Sequence, residues 1–422
     1  MMLGYLLALR DIPVIVLEKH RDFNRDFRGD TVHPSTLELM AELGLLEEFL
    51  KLPHQELTSV SGIFGDFRFQ GPDFRTLPTR CKFIALVPQW DFLNFLADKA
   101  RELPGFQLLM EHEATDLVFD GQRVAGVKLS SPEGSEKIRS HLVVACDGRH
   151  STVRKAARLP IEEVGVPIDV LWFRISRHPN DPDQLLGNVN YGSGLILINR
   201  GEYFQAGLII RKGSFEDLKC AGLPSFQRHI RKIAPYLRDR LREIESWEQV
   251  KLLSVQINRL KRWYLPGLLC LGDAAHAMSP AGGVGINLAI QDAVAAANLL
   301  TIPLREGKAS ECALSRVQRR REFPARVTQA LQVNAHRAFQ KVFENTGPLK
   351  APWQLRLVSQ LPGLPRLLAR VIGIGIRPEH IQEPVKVNSP KRRLVRFAAG
   401  AVVACAVVIV KAQVRNSQCL QA

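Results

Sequence analysis

Several features that define common classes of protein are scarce in this sequence of 422 residues. The seven cysteines are scattered and form no C-x-x-C pair, so neither a disulfide framework nor a structural metal site is expected. No basic segment precedes the apolar residues 1–9, so a secretory signal peptide is not expected either. Together these absences favour a reducing, cytoplasmic compartment.

Aromatic residues and long apolar runs are also few. Aromatic side chains make up 7% of the chain and do not alternate with basic residues, unlike those of platforms for single-stranded nucleic acid. No run reaches the roughly 20 apolar residues of a membrane-spanning helix, which excludes a polytopic membrane protein. The net charge of +15 favours anionic partners, among which phosphorylated cofactors and acidic lipid are preferred to nucleic acid.

The first residues have the pattern of a helix followed by a buried parallel strand. Residues 1–9 are apolar, and the apolar run 12–17 ends at Glu18. In dinucleotide-binding units, an acidic residue at this place binds a ribose hydroxyl about 20 residues after a Gly-rich phosphate turn. No G-x-G-x-x-G occurs in the first 18 residues. Glu18 could therefore be a solvated strand end, or belong to a nucleotide-binding unit whose first strand and phosphate turn are absent.

Two later strands end in turns that suit a ligand site. The apolar segment 142–146 stops at Asp147-Gly148, and the segment 268–271 stops at Gly272-Asp273. Because the carboxyl ends of parallel strands meet at one edge of an α/β sheet, where ligands bind, both turns are candidates. Asp-Gly is also a common turn, so the first pair is compatible with a purely structural role.

A glycine-rich loop follows the second turn and leads into an alanine-rich helix. Gly282, Gly283 and Gly285 would leave backbone N–H groups unshielded where this helix begins. The helix extends to Leu300, and its N-terminal dipole would stabilise a negative charge by roughly 0.3–2 kcal/mol. His276 could act as a base, but a packing role is preferred, and no catalytic residue is predicted.

The rest of the chain separates into strand-rich and helical regions, and its length predicts about two or three domains. The region 57–86 is rich in predicted strands, and the alternating pattern in 166–211 predicts a second, antiparallel sheet. The region 310–345 predicts a long basic helix, whose three arginines at 319–321 are interpreted as a solvated face. The apolar run 397–410 is short for a membrane span, so a packed terminal helix or strand is preferred to a marginal anchor with basic flanks.

Four stretches of the chain together resemble FAD-dependent monooxygenases of the para-hydroxybenzoate hydroxylase and ubiquinone-biosynthesis hydroxylase type. They are the strand ending at Glu18, the segment Arg28-Gly29-Asp30-Thr31-Val32-His33-Pro34-Ser35-Thr36-Leu37, the Asp147-Gly148 turn, and Gly272-Asp273 with residues 280–287. The resemblance extends over roughly residues 1–345. It implies an α/β fold, in which a Rossmann-like FAD-binding domain with a parallel sheet is interleaved with an antiparallel β-sheet substrate domain and followed by C-terminal helices.

The resemblance implies discontinuous domains. The FAD-binding domain would comprise 1–56, 82–165 and 255–310, and the substrate domain 57–81 and 166–254. A C-terminal helical region would follow at 311–376, and a basic and apolar tail at 377–422. Members of the family begin with a strand and a G-x-G-x-x-G turn, so the sheet of this chain is expected to lack a central strand.

The resemblance also implies a set of cofactor-binding residues. They are Glu18, Arg28, Gln89, Asp147, Gly148, Gly272, Asp273, Pro280, Gly283, Gly285 and Asn287. Glu18 would bind the adenosine ribose of FAD, and Asp273 the ribityl or pyrophosphate region. Asp147 and Gly148 would be linked to both FAD and the nicotinamide cofactor. The Gly-rich loop would lie along the isoalloxazine edge, with Pro280 near the ring and the substrate.

The chemistry that the resemblance implies is hydroxylation with NAD(P)H as co-substrate. NAD(P)H would reduce the flavin, O₂ would be activated on it, and an aromatic or quinone-like apolar substrate would gain a hydroxyl group. Two alternatives stay open. One is a flavin-dependent reductase or dehydrogenase of an isoprenoid-type substrate on the same scaffold, and the other is a truncated, non-catalytic remnant unable to hold FAD. The sequence leaves the oligomeric state open and allows peripheral membrane contact through the tail.

Overall fold

The computed structural model describes residues 1–24, 31–181, 185–382 and 404–411, so Arg28 lies outside the described residues. Two large sheets organise this part of the chain. One is dominated by parallel strands and the other by antiparallel strands. The expected α/β class, with a second antiparallel sheet and C-terminal helices, is therefore confirmed.

The first sheet is built around parallel strands. In spatial order its main path is β18 (Tyr264–Leu265), β19 (Leu268–Cys270), β10 (Gly134–Ala145), β20 (Ala404–Lys411), β1 (Val14–Glu18) and β7 (Phe106–Met110). β9 (Arg123–Ser131) pairs antiparallel with the first half of β10, and β8 (Glu113–Asp120) pairs with β9. The strands from β19 to β7 on the main path run parallel, so their carboxyl ends share one edge.

The strand β20 occupies the centre of this sheet, which corrects the expectation that the sheet lacks a central strand. Val407 to Lys411 pair in register with Val14 to Glu18 of β1, and Ala404 to Val410 pair with β10 on the other side. The side chains at 407–410 are at most 1% exposed, and burying each stabilises the fold by about 1.5–3 kcal/mol. The sheet therefore has a central strand, and residues 407–410 form a buried strand, which agrees with the preferred interpretation of this run as a packed helix or strand.

Three helices position the carboxyl edge of the parallel sheet. They are α1 (Met2–Ala8), α4 (Gln89–Arg101) and α8 (Gly285–Arg305). Every residue of α1 is buried, because this helix lies between the sheet and α8. A Cβ on Gly4 would come within 2.8 Å of Val16 Cγ2, so glycine is what allows α1 to approach β1 this closely.

The second sheet consists mainly of antiparallel strands. In order they are β16 (Lys251–Leu253), β12 (Ile168–Ser176), β15 (Tyr203–Arg211), β14 (Ser193–Asn199), β13 (Leu185–Asn190), β4 (Ser59–Phe64) and β5 (Phe67–Asp73). The helix α7 (Leu223–Ile233) closes one apolar core, in which Phe226 packs edge-on against Phe173. These strands fall within the ranges expected for a substrate domain, although the domain boundaries stay a prediction.

Smaller elements join the two sheets. The remaining strands are β2 (Thr31–Val32), β3 (Gln55–Leu57), β6 (Ile84–Leu86), β11 (Ile161–Val164) and β17 (Ile257–Leu260). The remaining helices are α2 (Pro34–Glu42), α3 (Leu46–Phe49), α5 (Thr152–Ala156), α6 (Phe215–Cys220), α9 (Glu311–Phe343), α10 (Trp353–Ser359) and α11 (Leu364–Ala369). The three arginines at 319–321 of α9 were predicted to face solvent. This prediction is wrong for Arg321, whose side chain is 1% exposed, and only Arg319 is exposed.

One helical segment of the described residues, Ala281–Arg305, is long and apolar enough to cross a membrane by length and composition. Its most apolar window is 61% buried inside the protein, as in the core helix of a globular domain. The segment contains α8, which packs against α1 and α9. Its apolar character is therefore explained by burial within the fold.

Candidate cofactor site

The turn after β19 brings Gly272 and Asp273 to the carboxyl edge of the parallel sheet. Gly272 has a φ of +57°, and an added Cβ would lie 2.9 Å from Ala289 Cβ of α8. Its backbone N–H donates to Asp292 Oδ2 at 3.2 Å. Both the left-handed backbone and the close approach of α8 require glycine at this position. The carboxylate of Asp273 remains 31% exposed at this edge.

An ion pair joins this turn to the turn after β10. Arg149 Nη2 donates to Asp273 Oδ2 at 3.3 Å. Behind the pair, the buried Arg154 donates to the carbonyl oxygens of Ala274, at 2.9 Å, and Arg149, at 2.6 Å. The guanidinium of Arg154 therefore holds the two turns together. Neither arginine was among the residues predicted from the sequence, although Arg154 lies in the helix that follows the first turn.

Asp147 and Gly148 shape the first of these turns. Gly148 has a φ of +79°, a conformation that favours glycine. The carboxylate of Asp147 accepts the N–H of Val153 at 3.0 Å, and Ser151 Oγ accepts the N–H of Arg154 at 2.9 Å. Burial raises the pKa of Asp147, despite these hydrogen bonds. The side chain of Asp147 thus caps α5 and faces inward, and a contact with cofactor stays a prediction.

The glycine-rich loop leaves an open space beside the start of α8. Gly282 and Gly283 have φ angles of 80° and 63°, and an added Cβ on Gly283 would lie 2.5 Å from Thr31 Oγ1. In contrast, a Cβ on Gly285 would meet no atom within 4 Å. Residues 281–286 are only partly buried or exposed. The N-terminal amides of a 21-residue helix therefore lie beside open space, and this arrangement suits a planar, electron-rich ligand.

The side chain of Asn287 fixes this loop against the segment that precedes α2. Asn287 Oδ1 accepts the N–H of His33 at 3.0 Å and the hydroxyl of Thr36 at 2.7 Å. Its Nδ2 donates to the carbonyl oxygens of Thr31 and Gly283, at 3.2 and 3.3 Å. Asn287 lies at the predicted site, but its side-chain amide already forms hydrogen bonds within the protein. Its effect on a cofactor would come through the position of the loop.

A buried charge network lies directly behind the Gly272-Asp273 turn. Asp292, which is fully buried, accepts from His276 Nε2 at 2.5 Å and from Arg321 Nε at 2.9 Å. Arg321 also contacts Glu379 at 3.2 Å. Burial alone would raise the pKa of Asp292, but the charges of His276 and Arg321 outweigh it and lower that pKa. His276 is buried in this network, and the expectation that it has a packing role rather than a catalytic one stays a prediction.

A second buried histidine, His33, lies beside the glycine-rich loop. Its Nδ1 is 2.8 Å from the carbonyl oxygen of Ile372. Burial lowers the pKa of His33 to about 4, against the opposing effect of the carbonyl groups of Ile372 and Gly283. His33 is therefore neutral near pH 7. His33 is not among the residues predicted from the sequence, although it lies inside the segment that carries the family resemblance.

The other predicted residues lie at separate places. Glu18 ends β1 at the carboxyl edge of the sheet, is fully buried, and accepts the N–H of His20 at 3.2 Å. Gln89 is the first residue of α4 and is partly buried. Pro280 precedes the short helical turn of the loop and accepts the N–H of Gly283 at 3.0 Å. The structure thus gathers Gly272, Asp273 and the glycine-rich loop around the start of α8.

Known proteins share the sequence and the fold of this chain. Residues 1–331 match the model of the FAD binding domain family. The 6-methylpretetramide 4-monooxygenase of Streptomyces rimosus is 30% identical over 87% of this chain and 88% of that protein. The rifampicin monooxygenase of Streptomyces venezuelae is 27% identical over 69% of this chain, which spans only 60% of that relative.

The solved structures agree with the sequence comparisons. The OxyS anhydrotetracycline hydroxylase from Streptomyces rimosus matches with a TM-score of 0.69 and 25% identity, over 90% of this chain and 75% of that chain. The expected family is confirmed, because its model matches well over half of the sequence. The chain belongs to the FAD binding domain family and is an FAD-dependent oxidoreductase of the aromatic monooxygenase type.

Proposed function

We propose that this protein hydroxylates an aromatic or quinone-like apolar substrate, with NAD(P)H as reductant and O₂ as the source of the oxygen atom. The observation that carries the proposal is the open, amide-lined start of α8 in a chain of an FAD-binding family. The names of the relatives support an aromatic substrate, since they include monooxygenases of pretetramide and rifampicin compounds.

The residues around the start of α8 fit a bound isoalloxazine ring. When bound, FAD supplies the electron transfer and the oxygen activation that no protein side chain provides. The backbone amides near Gly285 would stabilise negative charge on the ring by roughly 0.3–2 kcal/mol. Asn287 holds the loop in place through its four hydrogen bonds to neighbouring segments. The neutral His33 adds no charge beside the ring position near neutral pH.

Asp273 and Arg149 would orient the chain that links the ring to the nucleotide. The carboxylate of Asp273 can accept hydrogen bonds from ribityl hydroxyls, and Arg149 can donate to a phosphate oxygen. Both side chains are partly exposed, at 18% for Arg149 and 31% for Asp273, so a ligand can reach them. We propose that the substrate binds on the side of the glycine-rich loop that faces the strands expected to form the substrate domain.

Two measurements on the purified chain test this function. The first is the visible absorption spectrum before and after incubation with FAD, which should show a bound flavin. A colourless protein that FAD cannot restore would favour the non-catalytic remnant. The second is oxidation of NADH and NADPH with aromatic substrates, with and without O₂, followed by mass spectrometry of the product. Product that gains one oxygen atom only in the presence of O₂ supports the hydroxylase, whereas product formation without O₂ supports the reductase alternative.

A further inference from the structure

The helices α10 and α11 carry a concentration of exposed apolar side chains. Among the described residues, twelve large apolar side chains are exposed, and five of these lie between positions 353 and 367. Their exposed fractions range from 42 to 67%, and they belong to Trp353, Leu357, Val358, Leu361 and Leu367. Apolar side chains that are exposed singly are normal on a protein surface, whereas a group of them marks a surface that contacts something other than water.

Four of these side chains lie on one side of a single helical segment. Positions 353, 357, 358 and 361 have the spacing of one helix face. The N–H of Leu361 donates to the carbonyl oxygen of Val358 at 3.1 Å, so the last turn of α10 continues as far as this residue. Leu355 and Ser359, which fall between these positions, are partly buried. The segment is therefore amphipathic, with its more apolar face directed outward.

The opposite face of α10 is attached to the hairpin formed by β4 and β5. Asp66, in the turn of this hairpin, accepts the N–H of Ala351 at 3.0 Å and a hydrogen bond from Arg356 Nη2 at 2.8 Å. The guanidinium of Arg356 also lies over the ring of Phe67, 5.0 Å from its centroid. In α11, Ala369 is fully buried against the same region. These contacts fix both helices on the second sheet and keep their apolar side chains exposed.

The charge of this part of the chain is positive. No acidic residue occurs between Glu344 and Glu379, whereas five basic residues do: Lys350, Arg356, Arg366, Arg370 and Arg377. All of them except Arg356, which is paired with Asp66, are classed by their accessibility as exposed. Residues 350–370, named the α10–α11 surface below, thus combine exposed apolar side chains with unneutralised cations.

We infer that the α10–α11 surface docks the protein on the surface of an anionic lipid bilayer. Its leucine and tryptophan side chains enter the boundary between headgroups and acyl chains, and its arginines pair with lipid phosphates. Tryptophan suits this boundary because its ring is apolar and its N–H is polar. The contact differs from the one considered for the tail, because residues 407–410 are buried in a strand. The inference goes beyond the proposed function and does not depend on it.

Other occupants of this surface fit its charge less well. In a two-fold contact between two copies of the chain, the same surface of each copy takes part, so cations would face cations. The segment 383–403 contains five basic residues and one acidic residue, so it is positive as well. An anionic bilayer complements the charge and also accepts the apolar side chains.

The first test is co-sedimentation of the purified full chain with lipid vesicles. Vesicles of equal parts phosphatidylglycerol and phosphatidylcholine should bind the protein, and vesicles of phosphatidylcholine alone should bind it about tenfold more weakly. Added salt should weaken the binding to the anionic vesicles, because it screens exposed charges. No binding to the anionic vesicles, or equal binding to both kinds, would overturn the inference.

The second test uses variants with matched controls. Leu361 on the proposed surface and Leu331 on α9 are 51% and 50% exposed. Leu361→Ser should lower the affinity for the anionic vesicles about tenfold, because an apolar side chain no longer enters the lipid, and Leu331→Ser should leave it unchanged. Likewise, Arg366→Glu should lower this affinity about tenfold or more, whereas Lys137→Glu, at an exposed site on β10, should not. Thermal unfolding shows whether each variant is folded, and Trp353→Ser replaces Leu361→Ser if the latter unfolds.

The outcomes separate the bilayer from a second copy of the chain. Equal vesicle affinity of Leu361→Ser and Leu331→Ser would overturn the inference. Sedimentation velocity without lipid provides the other measurement: a wild-type dimer that Leu361→Ser converts to a monomer would assign the surface to a second copy and overturn docking on lipid. Vesicle binding requires neither turnover nor substrate, so a failure of the proposed hydroxylation is distinguishable from a failure of this inference.

Discussion

Adding one methyl group at Gly283 or at Gly285 should have different consequences, although both residues belong to the same loop. At Gly283 the backbone has a φ of +63°, where a non-glycine residue costs about 1–2 kcal/mol. The new Cβ would also lie 2.5 Å from Thr31 Oγ1, which now donates to the Gly283 carbonyl oxygen at 2.9 Å. Losing that hydrogen bond costs about 0.5–1.5 kcal/mol more. Gly283→Ala should therefore lower the free energy of unfolding by about 2–3 kcal/mol.

At Gly285 the same change should affect the cofactor rather than the fold. A Cβ there meets no atom of the protein within 4 Å, and alanine is the better residue at the start of a helix. Gly285→Ala should leave the free energy of unfolding unchanged or slightly higher. Its methyl group would instead enter the space assigned to the flavin, so FAD affinity should fall.

Urea unfolding without FAD, followed by circular dichroism, and titration with FAD measure the two effects separately. The reasoning about the loop is refuted if Gly283→Ala is as stable as the wild type. The assignment of the flavin position is refuted if Gly285→Ala binds FAD with unchanged affinity. Equal loss of stability in both variants would show that the loop packs differently from the structure.

Three further predictions concern side chains around the site. Asp273→Ala should weaken flavin retention far more than Asp30→Ala, as measured by flavin absorbance after gel filtration. Asp292→Asn should lower the free energy of unfolding by about 3–5 kcal/mol, because it removes the buried carboxylate that pairs with both His276 and Arg321 and leaves the buried Arg321 with Glu379 alone. Between pH 6.5 and about 4, the unfolded chain binds a proton that the folded His33 does not, so the wild type should lose up to about 3 kcal/mol of stability as the pH falls through this range. In His33→Gln that loss should be absent.

Each of these predictions has a result that would contradict it. Equal flavin content in the two aspartate variants would remove Asp273 from the site. Glu113→Gln, which alters an exposed ion pair, is the control for Asp292→Asn, and a similar small effect of both changes would mean that the buried network contributes little. Parallel pH profiles of unfolding for His33→Gln and the wild type would show that His33 is not buried in its neutral form.

Local patterns are sufficient to predict a candidate site because the residues that form them are contiguous in the sequence. The strand ending at Gly272-Asp273 and the loop of closely spaced glycines before an alanine-rich helix require no knowledge of distant segments. The structure confirms the α/β class and places these elements together. The contacts of Asn287 could not be predicted, since its hydrogen bonds connect α8 with residues about 250 positions earlier in the chain.

Non-local pairing explains what sequence analysis missed. An apolar run such as 397–410 is compatible with a strand, a helix or a membrane anchor, and only its register with β1 and β10 selects the central strand. Arg321 lies in a basic helical pattern that normally faces solvent, yet it is buried against Asp292 of another helix. The charge pattern of one helix does not show which residue of a neighbouring helix will pair with it.

The most direct test of the account is an experimental structure of the purified chain with FAD. Density for a planar ring is expected beside residues 282–286, at the amide-lined start of α8. A ring bound elsewhere, or an entrance at Gly285 filled by the protein's own side chains, would contradict it.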